Sequence, residues 1–241
     1  RRPPISTLFP STTLFRSFNI TVDKVTTTGD SITLEIKMLG VMYKGVLAAD
    51  SVSGEKNRLT GTFGNPGKGG ISLNLKKCEE FPFHVAKRPQ EPKKPYPYHS
   101  EDVSFTNTKL GISLKGTFTK PFGSKNAPAV ILISGSGPSD RNQTIFGHKV
   151  FLVIADYLTR NGFAVLRYDD RGAGESEGSF RNATVKDHAE DASFAIDYLK
   201  SRSDVDSARI GLIGHSLGAE IAPIAATINN STAFVVLMAG S

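Results

Sequence analysis

The sequence predicts an α/β protein in two parts, a parallel sheet wound with helices in its second half and a small, partial antiparallel β domain before it. The apolar run 128–134 (PAVILIS) is short and nearly continuous, as a parallel strand covered on both faces is, and 163–168 (FAVLRY) and 233–238 (AFVVLM) read as further strands of the same sheet. Between them lie segments whose apolar residues recur at helical spacing. Ahead of residue 128 the pattern changes to period-two alternation broken by glycines.

In chain order, residues 1–17 (RRPPISTLFPSTTLFRS) show no element pattern and no apolar stretch behind the two arginines. They have the look of translated adaptor sequence joined to a metagenomic fragment, with a disordered arm as the alternative. Residues 18–85 read as the β-rich domain: in 31–38 (SITLEIKM), Ile32, Leu34, Ile36 and Met38 share one face, and 46–49, 58–63 and 70–75 give further short strands. Residues 86–100 carry too many prolines for a helix or a central strand and read as an extended linker. Residues 101–241 form the α/β part, opened by a hairpin over 103–119 that covers a sheet edge. Its first helix, 148–160, buries Val150, Phe151, Ile154, Ala155 and Leu158. The second, 184–200, starts at a Thr184/Asp187 capping box and buries Val185, Ala189, Ala192, Ala195, Ile196 and Leu199.

The chemistry concentrates in 209–220 (RIGLIGHSLGAE), where Ser216 stands in a Gly-x-Ser-x-Gly motif between a short apolar strand and an apolar helix, 217–228. In such an elbow, Gly214 and Gly218 allow strand and helix to approach closely while the serine takes strained angles that expose its Oγ. A glycine-rich turn with a solvated serine is the alternative. The turn after 128–134 reads GSGPSDR, and Gly135, Ser136 and Gly137 can aim backbone N–H groups inward. With the N–H of Leu217 they make a candidate oxyanion hole, each donor of which is worth about 3 kcal/mol in the transition state. An ordinary turn at a strand end is the alternative. Asp169, Asp170, Arg171 and the glycines after them lie at the carboxyl end of a strand, where open sheets place their sites. They read as a structural loop in which Arg171 pairs with Asp169 or Asp170.

The stretches 88–98 (RPQEPKKPYPY), 116–121 (GTFTKP), 132–142 (LISGSGPSDRN), 147–176, 183–202 and 214–220 (GHSLGAE) resemble bacterial serine hydrolases of the α/β-hydrolase superfamily that carry a small N-terminal β domain. The resemblance implies Ser216 as nucleophile, the Leu217 and Ser136 N–H groups as oxyanion donors, and the 170–176 loop as a structural element near the site. It also implies a histidine and an acid from loops after later strands. Residues 221–241 hold neither aspartate nor histidine, which predicts a sheet truncated after the strand following the nucleophile and an inactive fragment. His215 is expected to point away from the serine into a hydrogen-bonding or packing role, and His148 and His188 read as turn or helix-surface histidines. The strand 233–238 is expected to expose an apolar edge.

At 39% hydrophobic and 22% charged residues the composition suits a globular enzyme. The single cysteine, Cys78, forms no intrachain disulfide and has no histidine beside it. The charge of +6 comes partly from Arg1, Arg2 and Arg16 and from the linker cations, and no recognition helix or zinc spacing accompanies it, which argues against nucleic acid. His84, His99, His148, His188 and His215 show no metal-ligand spacing, no phosphate or dinucleotide fingerprint is complete, and no run spans a membrane, so no metal or cofactor is expected. The expected function is a serine-dependent carboxylic ester hydrolase acting on a small ester. A peptidase of the same superfamily acting on short peptides, and a non-catalytic binding module, are the alternatives. Oligomeric state is not readable. The resemblance points to the periplasm or to secretion.

Overall fold

The computed structural model describes residues 22–37, 40–49, 54, 56–67, 69–76, 88–145 and 147–240. The readings on residues 1–17, Cys78 and His84 lie outside these. The chain divides into two compact units, 1–86 and 87–241.

The first unit is an antiparallel meander of β1 (Lys24–Thr28), β2 (Ser31–Ile36), β3 (Val41–Ala49), β4 (Lys56–Gly64) and β5 (Ile71–Lys76), paired in sequence order. Alternation explains its one-sided core: Ile32, Leu34, Tyr43, Leu47 and Leu59 are buried together, while their chain neighbours face out. Strand β1, a polar KVTTT run with every residue exposed, was not anticipated from the sequence because it has no apolar face to reveal it.

The second unit is a six-stranded mixed sheet in the order β13-β12-β8-β11-β7-β6. Four strands are parallel: β8 (Ala127–Ile133), β11 (Ala164–Tyr168), β12 (Val205–His215) and β13 (Thr232–Met238). The antiparallel hairpin of β6 (His99–Asn107) and β7 (Ile112–Lys120) docks onto β11. Three helices cover it, α1 (Val150–Arg160), α2 (Val185–Lys200) and α3 (Leu217–Ile228). A two-residue ladder, β9 (Thr144–Ile145) with β10 (His148–Lys149), stands before α1, so that helix begins two residues later than its apolar spacing suggested.

Each central strand feeds two cores. Ile131, Ile133, Leu166 and Leu212 point to one face, against Ala189, Ala192, Ala195 and Ile196 of α2 and Ile221, Ala222 and Ala225 of α3. Val130, Leu132, Val165 and Ile213 point to the other, against Phe151 and Ala155 of α1. Burial on both faces is why these strands read as unbroken apolar runs. The capping box that opens α2 is present, with the Thr184 hydroxyl accepting from Asp187 N–H at 3.3 Å and Asp187 accepting from Thr184 N–H at 2.7 Å. Residues 88–98 are counted with this unit, where Tyr98 is buried and stacks on Tyr96. On β13, the outer strand of the sheet, Phe234, Val236 and Leu237 are exposed.

Candidate active site

The strand β12 ends at His215, and the chain turns into α3 through a single residue, Ser216, at φ +54° and ψ −120°. That conformation is costly for a residue with a Cβ, of order 1–3 kcal/mol, and persists only where surroundings enforce it. Here Ser216 N–H donates to Met238 O at 2.9 Å, tying the turn to the end of β13, and Ser216 O accepts from Ala219 N–H at 2.9 Å. Contact distances make the flanking glycines obligatory: a Cβ on Gly214 would lie 1.9 Å from Gly218 O, and one on Gly218 would lie 2.3 Å from Ile133 O. Strand, helix and the neighbouring strand β8 are thus in backbone contact around the serine.

The loop after β8 runs beside it. Gly135 is buried, and a Cβ there would lie 3.1 Å from the Cβ of Ser216 and 3.1 Å from Nε2 of Gln143. Ser136 and Gly137 follow directly, Ser136 exposed and Gly137 at φ +91°. Leu217 is the first residue of α3, so its N–H has no acceptor within the helix and stays available, with the helix dipole behind it. The chain therefore brings the strap 135–137, Leu217 and Ser216 to one end of the sheet, where an oxyanion formed at Ser216 can be stabilised by backbone donors.

The loop after β11 supports this arrangement, by pairings other than those expected. The Arg171 guanidinium pairs with neither Asp169 nor Asp170. Its Nε donates to Asp191 of α2 at 2.6 Å and its Nη2 to Asp187 O at 2.6 Å, while Asn107 Nδ2 donates to the other Asp191 oxygen at 2.7 Å. Asp169 belongs instead to Arg141, which donates to it from its backbone N at 2.6 Å, Nε at 3.1 Å and Nη2 at 2.7 Å, and which also pairs with Glu175 and Asp102. Sequence proximity suggested the local pairs; the fold instead brings Asp191 to Arg171 and Arg141 to Asp169. Arg141, Asn107 and Asp191 are the members that sequence reasoning missed, and nothing local in the sequence marks them, because their partners lie 20 or more residues away.

Asp170 holds both ends of the strap. The Ser134 hydroxyl donates to its two oxygens at 2.6 and 2.8 Å, Ser139 N–H donates to Oδ2 at 3.0 Å, and Asp170 N–H donates to Ser139 O at 3.1 Å. Burial pushes its carboxyl up to about 7, against the lowering effect of the Ser134 and Ser139 hydrogen bonds, with Asp191 and Asp169 adding to the rise. Asp169 is also buried, yet Arg141 and the backbone N–H groups of Glu175 and Arg141 hold it below the usual carboxylate range. The raised group binds a proton in the folded state that the unfolded chain, ionising near pH 4, has already lost. Its stabilising contribution is therefore full below about pH 4 and is lost as pH rises to about 7. Asp170→Asn should remove it: the melting temperature of the native protein relative to this variant should fall between about pH 5 and pH 7. A difference that stays constant with pH would show that Asp170 is ionised throughout.

The histidines take distinct places. His215 Nδ1 accepts a hydrogen bond from Gln143 Nε2 at 2.7 Å. His148 sits on β10. His188, read from sequence as a surface position, is instead buried on α2 with its ring 4.9 Å from that of Phe180. With Asp170, Gly135, Leu217 and Tyr168 it lines a cavity of about 10 Å³, room for one water. Burial and Arg171 lower its basicity. No hydrogen bond joins a histidine to Ser216 Oγ among the described residues, and there no three metal-ligating side chains gather. Among the described residues no helix is long and apolar enough to cross a membrane.

Residues 148–240 match the family model described as serine aminopeptidase S33. Among curated proteins, esterase EstD of Thermotoga maritima is 39% identical over 128 residues, which is 53% of this chain and 31% of that protein. The uncharacterized protein YfhR of Escherichia coli is 30% identical over 132 residues, covering 52% of this chain and 40% of its own length. The chain thus spans about a third of the length of the curated relatives it matches. Among solved structures, the α/β hydrolase GrgF of a Penicillium species superposes with a TM-score of 0.51 at 28% identity, over 59% of this chain and 46% of that one. A hypothetical protein of Pseudomonas aeruginosa gives 0.53 at 26%, over 60% and 44%.

Proposed function

We propose that this chain, whose fold is the esterase-like fold of the α/β-hydrolase superfamily behind a small antiparallel β domain, carries the nucleophile and oxyanion hole of a serine-dependent carboxylic ester hydrolase. The observation that carries the reading is Ser216 itself: a serine held at φ +54° at the start of a helix, tied by its N–H to Met238 O and abutting the strap at Gly135. A serine without a catalytic task gains nothing from that conformation. In the reaction, Ser216 Oγ adds to the ester carbonyl carbon as a base takes its proton. The carbonyl oxygen, now an oxyanion, accepts from the N–H groups of Leu217 and of Ser136 or Gly137. Collapse breaks the bond to the alkoxide, which takes that proton and leaves, and water then releases the acid by the same steps. The likeness to EstD favours esters. A peptidase is the second reading, favoured by the serine aminopeptidase description of the matching family.

Since no histidine among the described residues is hydrogen-bonded to Ser216 Oγ, free imidazole is the base to supply in the test. With it, a fluorophosphonate should label Ser216, located by mass spectrometry, and the rate should rise with imidazole concentration. Short p-nitrophenyl esters should then be hydrolysed faster than aminoacyl anilides, each measured against Ser216→Ala. Faster amide cleavage would favour the peptidase reading. No adduct at Ser216 in the folded protein would leave a non-catalytic module.

A further inference from the structure

Among the described residues, three non-glycine residues have φ in the left-handed region: Gln143 at +46°, Ser216 at +54° and Ala239 at +49°. All three meet at the elbow. Ala239 follows Met238, whose carbonyl accepts from Ser216 N–H, and Gln143 reaches the elbow from the loop after β8. Gln143 is 3% exposed. Its backbone N–H donates to Asp140 O at 2.8 Å, its Nε2 donates to His215 Nδ1 at 2.7 Å, and the same Nε2 packs on Gly135, 3.1 Å from where a Cβ would be. Its Oε1 is buried with no partner. A glutamine serving only as core filler would satisfy both ends of its amide and would sit in an ordinary conformation, since burying half of it unpaired costs about 1–3 kcal/mol.

We propose that Gln143 is a positioning residue for Ser216: its carboxamide, wedged between Gly135 and His215, sets the distance between the oxyanion strap and the nucleophile. The inference rests on the reading of Ser216 as a nucleophile. His215 adjoins Ser216 directly, and Gly135 adjoins Ser136, so one amide touches the residue preceding the nucleophile and the residue preceding an oxyanion donor. Because Gln143 Nε2 is the donor, His215 must present an unprotonated Nδ1 and carry its proton on Nε2. A misplacement of about 1 Å between nucleophile and oxyanion donors is enough to cost about a hundredfold in rate.

The test measures fluorophosphonate labelling of Ser216 with free imidazole in the whole chain. Gln143→Leu keeps bulk and removes the donor; His215→Leu removes the acceptor; His215→Asn places Oδ1 close to where Nδ1 stood. Both leucine variants should label Ser216 roughly tenfold to a hundredfold more slowly with unchanged melting temperature. The double variant should be no slower than either single one, and His215→Asn should recover most of the rate lost in His215→Leu. Nitrogen NMR should find His215 Nδ1 unprotonated, and this should change in Gln143→Leu. Labelling of Gln143→Leu at the native rate, or fully additive losses in the double variant, overturns the proposal while leaving Ser216 as nucleophile. Should Gln143→Leu not fold, the two His215 variants decide: equal rates for leucine and asparagine overturn it. A native chain that does not label at all overturns the nucleophile and this inference together.

Discussion

Without added imidazole, this chain should hydrolyse p-nitrophenyl esters no faster than its Ser216→Ala variant. Residues 217–241 contain neither histidine nor aspartate, and among the described residues no histidine before Ser216 is hydrogen-bonded to its Oγ. His215 is held by Gln143, His148 lies in the β9–β10 ladder, and His188 is enclosed with Asp170 beneath Leu217. A serine hydroxyl lacking its base is a weak nucleophile, and members of a triad act as a unit, so loss of the base alone costs on the order of 10⁶ in turnover. The oxyanion donors alone leave a residual rate about 10³ to 10⁴ above water in such systems. That residue comes from the site as a whole, so the serine-dependent part is what the comparison isolates. A reproducible rate that disappears in Ser216→Ala would show a base already in place. Its loss in His188→Ala but not in His148→Ala would then identify His188, which lines a cavity with Gly135 and Leu217.

The second large effect is on stability. Asp191 and Arg171 are both almost fully buried, with side chains 2% and 6% exposed, and Asn107 completes the network. Asp191→Ala leaves the Arg171 guanidinium buried without its counter-charge, and such losses cost about 3–5 kcal/mol. Against a typical total of about 5–15 kcal/mol, this removes a large share of the stability. Chemical denaturation should show a midpoint shift with little change in slope. The paired change Asp191→Leu with Arg171→Met should recover most of the loss, because it removes both charges and keeps the volume. If Asp191→Ala were as stable as the native chain, water would have to reach Arg171, and the loop after β11 would be less closed than its burial indicates.

Much of this architecture was legible in the sequence because it depends on local periodicity. The runs PAVILIS and FAVLRY can be buried on both faces only as central strands, AFVVLM is equally apolar but stands at the sheet's edge with Phe234, Val236 and Leu237 exposed, and the alanine-rich face of 184–200 fits only a helix lying close on a sheet. The elbow was legible for a steric reason. Only glycine at 214 and 218 permits the backbone contacts around Ser216, so the motif reports its own geometry. Strand β1 was not legible, since KVTTT has no buried face and exists only by pairing with β2.

What the sequence by itself determined was therefore the parallel core, the place of Ser216 in its strand–turn–helix elbow, and which loops stand at the sheet's carboxyl end. All of these follow from side-chain size and spacing along a continuous stretch. Tertiary structure alone decided the polar partnerships: Arg171 with Asp191 rather than Asp170, Asp169 with Arg141, Asp170 with Ser134 and Ser139, and Gln143 with His215. A buried charge must find a partner, but many partners satisfy it equally well in sequence. The choice is made by which side chains the strand register and helix packing bring within 3 Å, and that register is a property of the assembled sheet.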